Sequence, residues 1–252
     1  MSLLLRLAAL TSAFLLVCPA CGSTTKPEPL GVPGTWTLTF DDEFDGTRLD
    51  TTKWAPCWFP ESYPATSDSC ASSNNVTTYK SLVSVANGKV TLTVTSSSQG
   101  ALIATNPRGG ASPGFQFQYG AVEARVWFPG NGSACLNWPG WWTDGQNWPT
   151  DGENDIAEVL GGQMTVNYHS SSGTHNQGAV FLPGFWCSGY HVYTLDREPG
   201  HANVYYDGAL VKSYPTDDGG ALHYLILNIG SASWAASYPA RLRVDYVRAW
   251  RH

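Results

Sequence analysis

An antiparallel β-sandwich or jelly roll, with no helical layer, is the fold class this chain predicts. Of its 252 residues 13% are aromatic and only 13% charged, while Gly (26) and Pro (16) are plentiful. β-branched and aromatic residues favour strands, and Gly and Pro favour the tight turns that join them. Short alternating stretches recur with turn residues between them, and outside the first twenty residues none sustains a 3.6-residue period. A chain of this length without an internal linker fits one large domain, placed here at 35–252.

Ahead of that domain, residues 1–20 read as an export signal: Arg6 supplies the positive end, Leu7 to Val17 is almost unbroken apolar, and Cys18-Pro19-Ala20 offers small residues for cleavage. The run is too short to span a bilayer. Cys21-Gly22-Ser23 also resembles the start of a bacterial lipoprotein, although Cys18 stands where such sites usually carry Leu. Two routes therefore fit, a secreted extracellular protein or one anchored to a membrane by acylated Cys21. Residues 21–34, with Pro27, Pro29 and Pro33, read as a flexible linker.

Export makes the remaining cysteines interpretable. Cys57, Cys70, Cys135 and Cys187 are an even set for an oxidising compartment, so two disulfides are expected among three connectivities. The favoured pairing is Cys57 with Cys70, closing a loop, and Cys135 with Cys187, tying a tryptophan-rich loop to a later one. No pair has metal-site spacing. The net charge of −6 argues against a nucleic-acid partner, which requires a basic footprint, and disfavours anionic polymers. A monomer is expected.

Within the domain, Thr35 to Phe40 alternates as a strand, and Asp41 to Gly46 turns the chain toward Trp54. Cys57 to Thr78 has no periodicity and reads as a long surface loop. Ser81 to Ala86 and Lys89 to Thr95 flank Asn87-Gly88 as a hairpin. Phe115 to Tyr119 and Ala121 to Phe128 form a strand broken at Gly120; Val122, Ala124, Val126 and Phe128 face the core, and Glu123 and Arg125 face either solvent or a cleft. Further strands are legible at Met164 to His169, Tyr190 to Leu195, Asn203 to Tyr206, Ala209 to Tyr214 after the turn Asp207-Gly208, Leu222 to Ile229 and Leu242 to Trp250. The near-repeat Thr143-Asp144-Gly145-Gln146-Asn147 and Thr150-Asp151-Gly152-Glu153-Asn154 reads as two similar turns.

The chemistry concentrates in Glu153-Asn154-Asp155-Ile156-Ala157-Glu158, three carboxylates in six residues. Glu153 and Asp155 share a strand face, whereas Glu158 joins them only if a β-bulge near Ile156 or Ala157 inserts one extra residue. Carboxylates held together cannot all ionise cheaply, so at least one keeps its proton at a raised pKa. A retaining glycosidase needs that combination, one ionised nucleophile and one protonated acid. Trp138, Trp141, Trp142 and Trp148 crowd the loop before this strand, and indole rings stack on the C–H faces of sugars. Trp138 and Trp142, then Trp148, are the preferred cleft residues.

Several stretches carry a resemblance: Phe40-Asp41-Asp42-Glu43-Phe44-Asp45-Gly46, Gln118 to Arg125, Asn137-Trp138-Pro139-Gly140-Trp141-Trp142, Trp148 to Glu153, and Val244-Asp245-Tyr246-Val247-Arg248-Ala249-Trp250. In this order and around an E-x-D-x-x-E strand, the chain resembles glycoside hydrolase family 16, in its bulged, laminarinase-like branch. The resemblance implies a curved jelly roll whose concave sheet lines a cleft and cuts internal β-linkages of polysaccharides with retention. It implies Glu153 as nucleophile, Glu158 as acid and base, Asp155 as their modulator, and His169 near the cleft. No cofactor is implied for catalysis, and a structural calcium would have Glu43 and Asp245 as candidate ligands. Two departures stand out: Asn154 replaces an apolar residue and would be buried needing a partner, and Arg197 follows Asp196 where a tryptophan is commoner. The expected substrate is β-1,3 or mixed-linkage β-1,3-1,4-glucan. The alternatives are an agar or carrageenan galactan, or a non-catalytic carbohydrate-binding jelly roll.

Overall fold

The computed structural model describes residues 27–59, 66–107, 114–179 and 185–252, so the expected export signal and Cys21 lie outside the described residues. Two eight-stranded sheets face each other. The first runs in the order β14 (Ala209–Pro215), β13 (His201–Tyr206), β12 (Tyr190–Glu198), β7 (Gly120–Trp127), β16 (Ala240–Arg251), β5 (Val90–Val94) and β4 (Val83–Val85), and β1 (Thr37–Asp42) also pairs with β16. The second runs β11 (Gly173–Ala179), β10 (Gln163–Ser170), β9 (Glu153–Leu160), β8 (Trp138–Asp144), β15 (Tyr224–Gly230), β6 (Gln99–Ala104), β3 (Val76–Tyr79) and β2 (Ser69–Ser73). Every described pairing of these strands is antiparallel except β3 with β6.

The two inner faces meet in one core. Leu92, Val122, Val126, Tyr193, Leu195, Val204 and Val244 from the first sheet pack with Ile103, Trp141, Ile156, Val159, Val166, Leu225 and Leu227 from the second. The expected hairpin turns close with positive φ at Asn87, Gly88, Asp207 and Gly208, as two-residue turns matched to the strand twist require. Both favoured disulfides, Cys57–Cys70 and Cys135–Cys187, are present.

Four expectations are corrected. The tryptophan-rich loop is strand β8 from Trp138 onward. Pro139 and Gly140 suggest a turn, but pairing of β8 with β9 begins only at Gly140, so Pro139 sits where its missing N–H costs no bond to that neighbour. The presumed loop Cys57 to Thr78 contains β2 and most of β3, whose Ser- and Thr-rich residues carry no hydrophobic period. Phe115 to Tyr119 makes only a bridge from Phe117 to His223. Residues 27–34, read as a flexible linker, instead pack on the outer face of the first sheet. Val32 is buried with Trp36, Ala121, Tyr205 and Trp250, and the Leu30 N–H donates to Glu123 Oε2 at 2.7 Å.

That contact also decides the question left open for β7. Glu123 is buried on the face away from the second sheet, accepting from Thr194 and Tyr246 hydroxyls at 2.8 and 2.9 Å, and Arg125 pairs with Asp245 at 2.6 Å. Neither reaches the acidic face of β9. Asn154 is fully buried and has its partner: Tyr214 donates to its Oδ1 at 3.0 Å across the sheet interface. Arg197 is buried too, paired with Asp218 at 2.8 Å.

A buried amide acceptor deprived of its donor costs about 1–3 kcal/mol. Tyr214→Phe is therefore expected to lower unfolding free energy by about that amount, measured by urea denaturation, whereas Asn154→Leu with Tyr214→Phe together should recover most of it.

Candidate active site

The site lies on the outward face of the second sheet, and its register is set by one extra residue in β9. Gly140 pairs with Glu158 and Trp141 with Ala157, but Trp142 pairs with Asp155, so Ile156 is passed over. On the other side Thr165 pairs with Glu158 and Asn167 with Asp155. The bulge restores phase: Glu153, Asp155 and Glu158 all face outward while Asn154, Ile156 and Val159 face the core.

Each acid then meets different neighbours. Glu158 accepts two bonds of 2.7 Å, from Trp138 Nε1 on Oε1 and Asn167 Nδ2 on Oε2. Asp155 lies within hydrogen-bonding reach of Glu153, and His169 Nε2 is 3.2 Å from Asp155 Oδ2 and 3.7 Å from Glu153 Oε1. The imidazole is held by its other nitrogen, 2.9 Å from Thr174 Oγ1.

Crowding and burial hold protons here. Burial first, then the charges of Asp155 and Asp144, push Glu153 up to about 10. Burial and the charge of Glu158 keep Asp155 well above the usual carboxylate range. Glu158 is raised by burial, against the pull of the Trp138 and Asn167 donors, which favour its anion. A proton on Asp155 removes the strongest of the charges acting on Glu153, so a single proton shared by that pair leaves Glu153 better able to ionise.

Around these groups lies a cleft of about 360 Å³ lined by Trp58, Trp138, Trp142, Trp148, His169 and Asn228 along with the three acids. All seven residues expected at a catalytic or sugar-binding position are thus brought together. Their exposures differ. Trp148 is 58% exposed, with its ring 6.4 Å from that of His169, while Trp142 is 6% exposed beneath Trp58, whose ring meets it edge-on at 5.0 Å. Trp141, one residue out of phase with Trp142, is wholly in the core.

Sequence reading missed Trp58, Asn167, Asn228 and Asp144. Asn228 accepts from Trp142 Nε1 at 2.9 Å and fixes that ring. Asn167 was findable by alternation, two residues before His169 on β10; Trp58, from a loop without periodicity, was not. The calcium ligands do not assemble. Glu43 is held by two bonds from Arg248, at 2.7 and 3.0 Å, and Asp245 by Arg125, so each carboxylate already has its cation and the two do not fit a shared metal site.

The family model "Glycosyl hydrolases family 16" matches residues 71–251. The glucan endo-1,3-beta-glucosidase A1 of Niallia circulans is 26% identical over 91% of this chain, and the beta-glucanase of Rhodothermus marinus 29% identical over 57%. The chain spans 39% and 60% of the lengths of these two relatives. The crystal structure of a laminarinase from Flavobacterium sp. UMI-01 superposes with a TM-score of 0.66, covering 85% of this chain and all of that one at 23% identity, which shows the same fold. With its sandwich built around a bulged acidic strand and its family match running through most of the domain, this chain belongs to the glycosyl hydrolases family 16.

Proposed function

We propose that this protein hydrolyses internal bonds of a β-1,3 or mixed-linkage β-1,3-1,4-glucan with retention of configuration. The observation that carries the reading is the bulge that turns Glu153, Asp155 and Glu158 to one face beside a row of indoles. The names of the relatives, a glucan endo-1,3-beta-glucosidase and a beta-glucanase, support the choice of glucan. The aromatic lining, which carries no Lys or Arg among the described residues, suits an uncharged sugar chain rather than a sulfated one.

In this reading the Glu153 carboxylate attacks the anomeric carbon while the Glu158 carboxyl gives its proton to the departing glycosidic oxygen. A glycosyl ester on Glu153 results. Glu158, now a carboxylate, takes a proton from water as that water attacks the anomeric carbon, and Glu153 leaves as an anion. Asp155 holds the proton that would otherwise sit on Glu153, and His169 supports it. Trp138 steers Glu158 through its N–H, and Trp142 and Trp148 serve as sugar platforms. The protein acts outside the cytoplasm, in keeping with its two disulfides, with Cys21 the candidate point of acylation.

Product release from laminarin, lichenan, agarose and carrageenan tests the reading. Cleavage of a glucan is expected, with Glu153→Ala and Glu158→Ala each reducing turnover at least about 10³-fold in folded protein. Turnover of agarose or carrageenan alone would overturn the glucan assignment, and a wild-type protein inert toward all four would overturn hydrolysis of these polymers. Trp148→Ala, which removes an exposed platform, is expected to raise KM about 5–30-fold with kcat little changed, read from initial rates on laminarin.

A pH effect on stability follows from the same burial. The Glu153–Asp155 pair binds protons more tightly when folded, so its contribution is fully present below the ordinary carboxylate values of 3.8 and 4.5 and is lost as pH rises through the raised folded range. Glu153→Gln, which cannot ionise, should therefore stabilise the fold, with an advantage that grows by about 1 kcal/mol or more between pH 5 and pH 8. Thermal melts of both proteins at the two pH values measure it; an equal difference at both would contradict it.

A further inference from the structure

The outward face of the second sheet carries a fourth carboxyl that the mechanism above does not use. Asp144, the last residue of β8, stands directly opposite Glu153 on β9. Tyr224 on β15 stands opposite Asp144 on its other side, and His169 on β10 stands opposite Glu153. Tyr224, Asp144, Glu153 and His169 thus form one row across four strands, with directly opposed side chains about 5 Å apart at Cβ. Asp144 is only 1% exposed and lies behind the cleft lining, so it does not meet substrate.

Its contacts are built rather than incidental. Tyr224 donates to Asp144 Oδ2 at 3.1 Å, and Trp58, one of the cleft indoles, donates to the Tyr224 oxygen at 2.7 Å. Oδ1 is buried without a partner. The charged and titratable groups facing it are Asp151 from the turn before β9, Glu153 and Asp155 on β9, and Tyr224 on β15, with His169 beyond Glu153. Glu153 and Asp155 are themselves raised by burial, Asp151 adds a like charge, and none of these carboxyls offers Asp144 a cation.

We propose that Asp144 is a positioning residue for the reaction, a buried carboxyl whose charge state governs how readily Glu153 ionises. The inference rests on the reading of Glu153 as nucleophile. When Asp144 is neutral, Glu153 loses one of the two charges acting most strongly on it; when Asp144 ionises, that charge returns. Burial pushes Asp144 up to about 7. The Tyr224 donor favours the anion, so the Trp58–Tyr224–Asp144 chain links the cleft wall to the ionisation of the nucleophile.

Two variants test it in the full protein. Asp144→Asn removes the charge and keeps an acceptor for Tyr224; Tyr224→Phe leaves the carboxyl but takes away the strongest of the donors that stabilise its anion. Both should make Glu153 easier to ionise. The acid limb of kcat/KM against pH on laminarin should move down by about half a pH unit or more in Asp144→Asn, and less in Tyr224→Phe, with the alkaline limb in place. A ¹³C-carboxyl titration of Glu153, assigned by its loss in Glu153→Gln, reads the same midpoint without turnover. If Asp144→Asn fails to fold, Tyr224→Phe carries the test. A Glu153 midpoint unmoved in the folded variants would overturn the proposal. A midpoint that falls in a protein that cleaves none of the polysaccharides would uphold the coupling and overturn the assigned activity instead.

Discussion

Everything at this site depends on one extra residue in β9. A strand presents alternate residues to opposite faces, and Glu153 and Glu158 are an odd number apart, so an unbroken ladder would bury one of them in the sandwich. Passing over Ile156 lets the chain keep both its core set, Asn154, Ile156 and Val159, and its acidic set. The flanking strands accommodate the same irregularity: β8 shifts between Trp141 and Trp142, and β10 between Thr165 and Asn167. Those shifts bring Trp142 and Asn167 level with Asp155, so the bulge aims the neighbours as well as the acids.

The cost of this arrangement falls on the fold. Four carboxyls that burial drives toward their neutral forms stand on one face, and their partners are chiefly neutral donors: Trp138 and Asn167 for Glu158, Tyr224 for Asp144. Neutral donors hold an anion without cancelling it. The core beneath, filled by Trp141, Tyr193, Tyr206 and the aliphatic strands, supplies the stabilisation that tolerates such a face. Asn154 shows the same economy on the inward side, a polar group accepted in the core because Tyr214 crosses between the sheets to satisfy it.

What the sequence disclosed, and what it hid, have physical causes. The acidic strand was legible because charge at fixed spacing has only one way of converging in a strand, and the hairpins at Asn87-Gly88 and Asp207-Gly208 because positive φ demands those residues. Strand β8 was hidden by Pro139 and Gly140, and by tryptophans whose alternation in and out of the core looks uniform when both sides are indole. Asp144 was hidden by Gly145: an Asp-Gly pair reads as a turn, but here the strand runs through the aspartate and the turn lies farther on, at 148–151. Glu43 and Asp245 misled for the opposite reason. Isolated acids suggest ligands until their arginines, Arg248 and Arg125, are seen beside them.

Residues 27–34 run over the first sheet, with Leu30 fastened to Glu123 and Pro27 to the indole of Trp250, while the cleft opens from the second sheet on the far side of the core. Chain arriving at Pro27 therefore comes in at the back of the molecule. From position 21 to position 27 it spans at most about 20 Å when fully extended. A surface that held the chain by Cys21 would thus keep the domain close and turned outward, its cleft presented to polymer arriving from solution rather than to the surface itself.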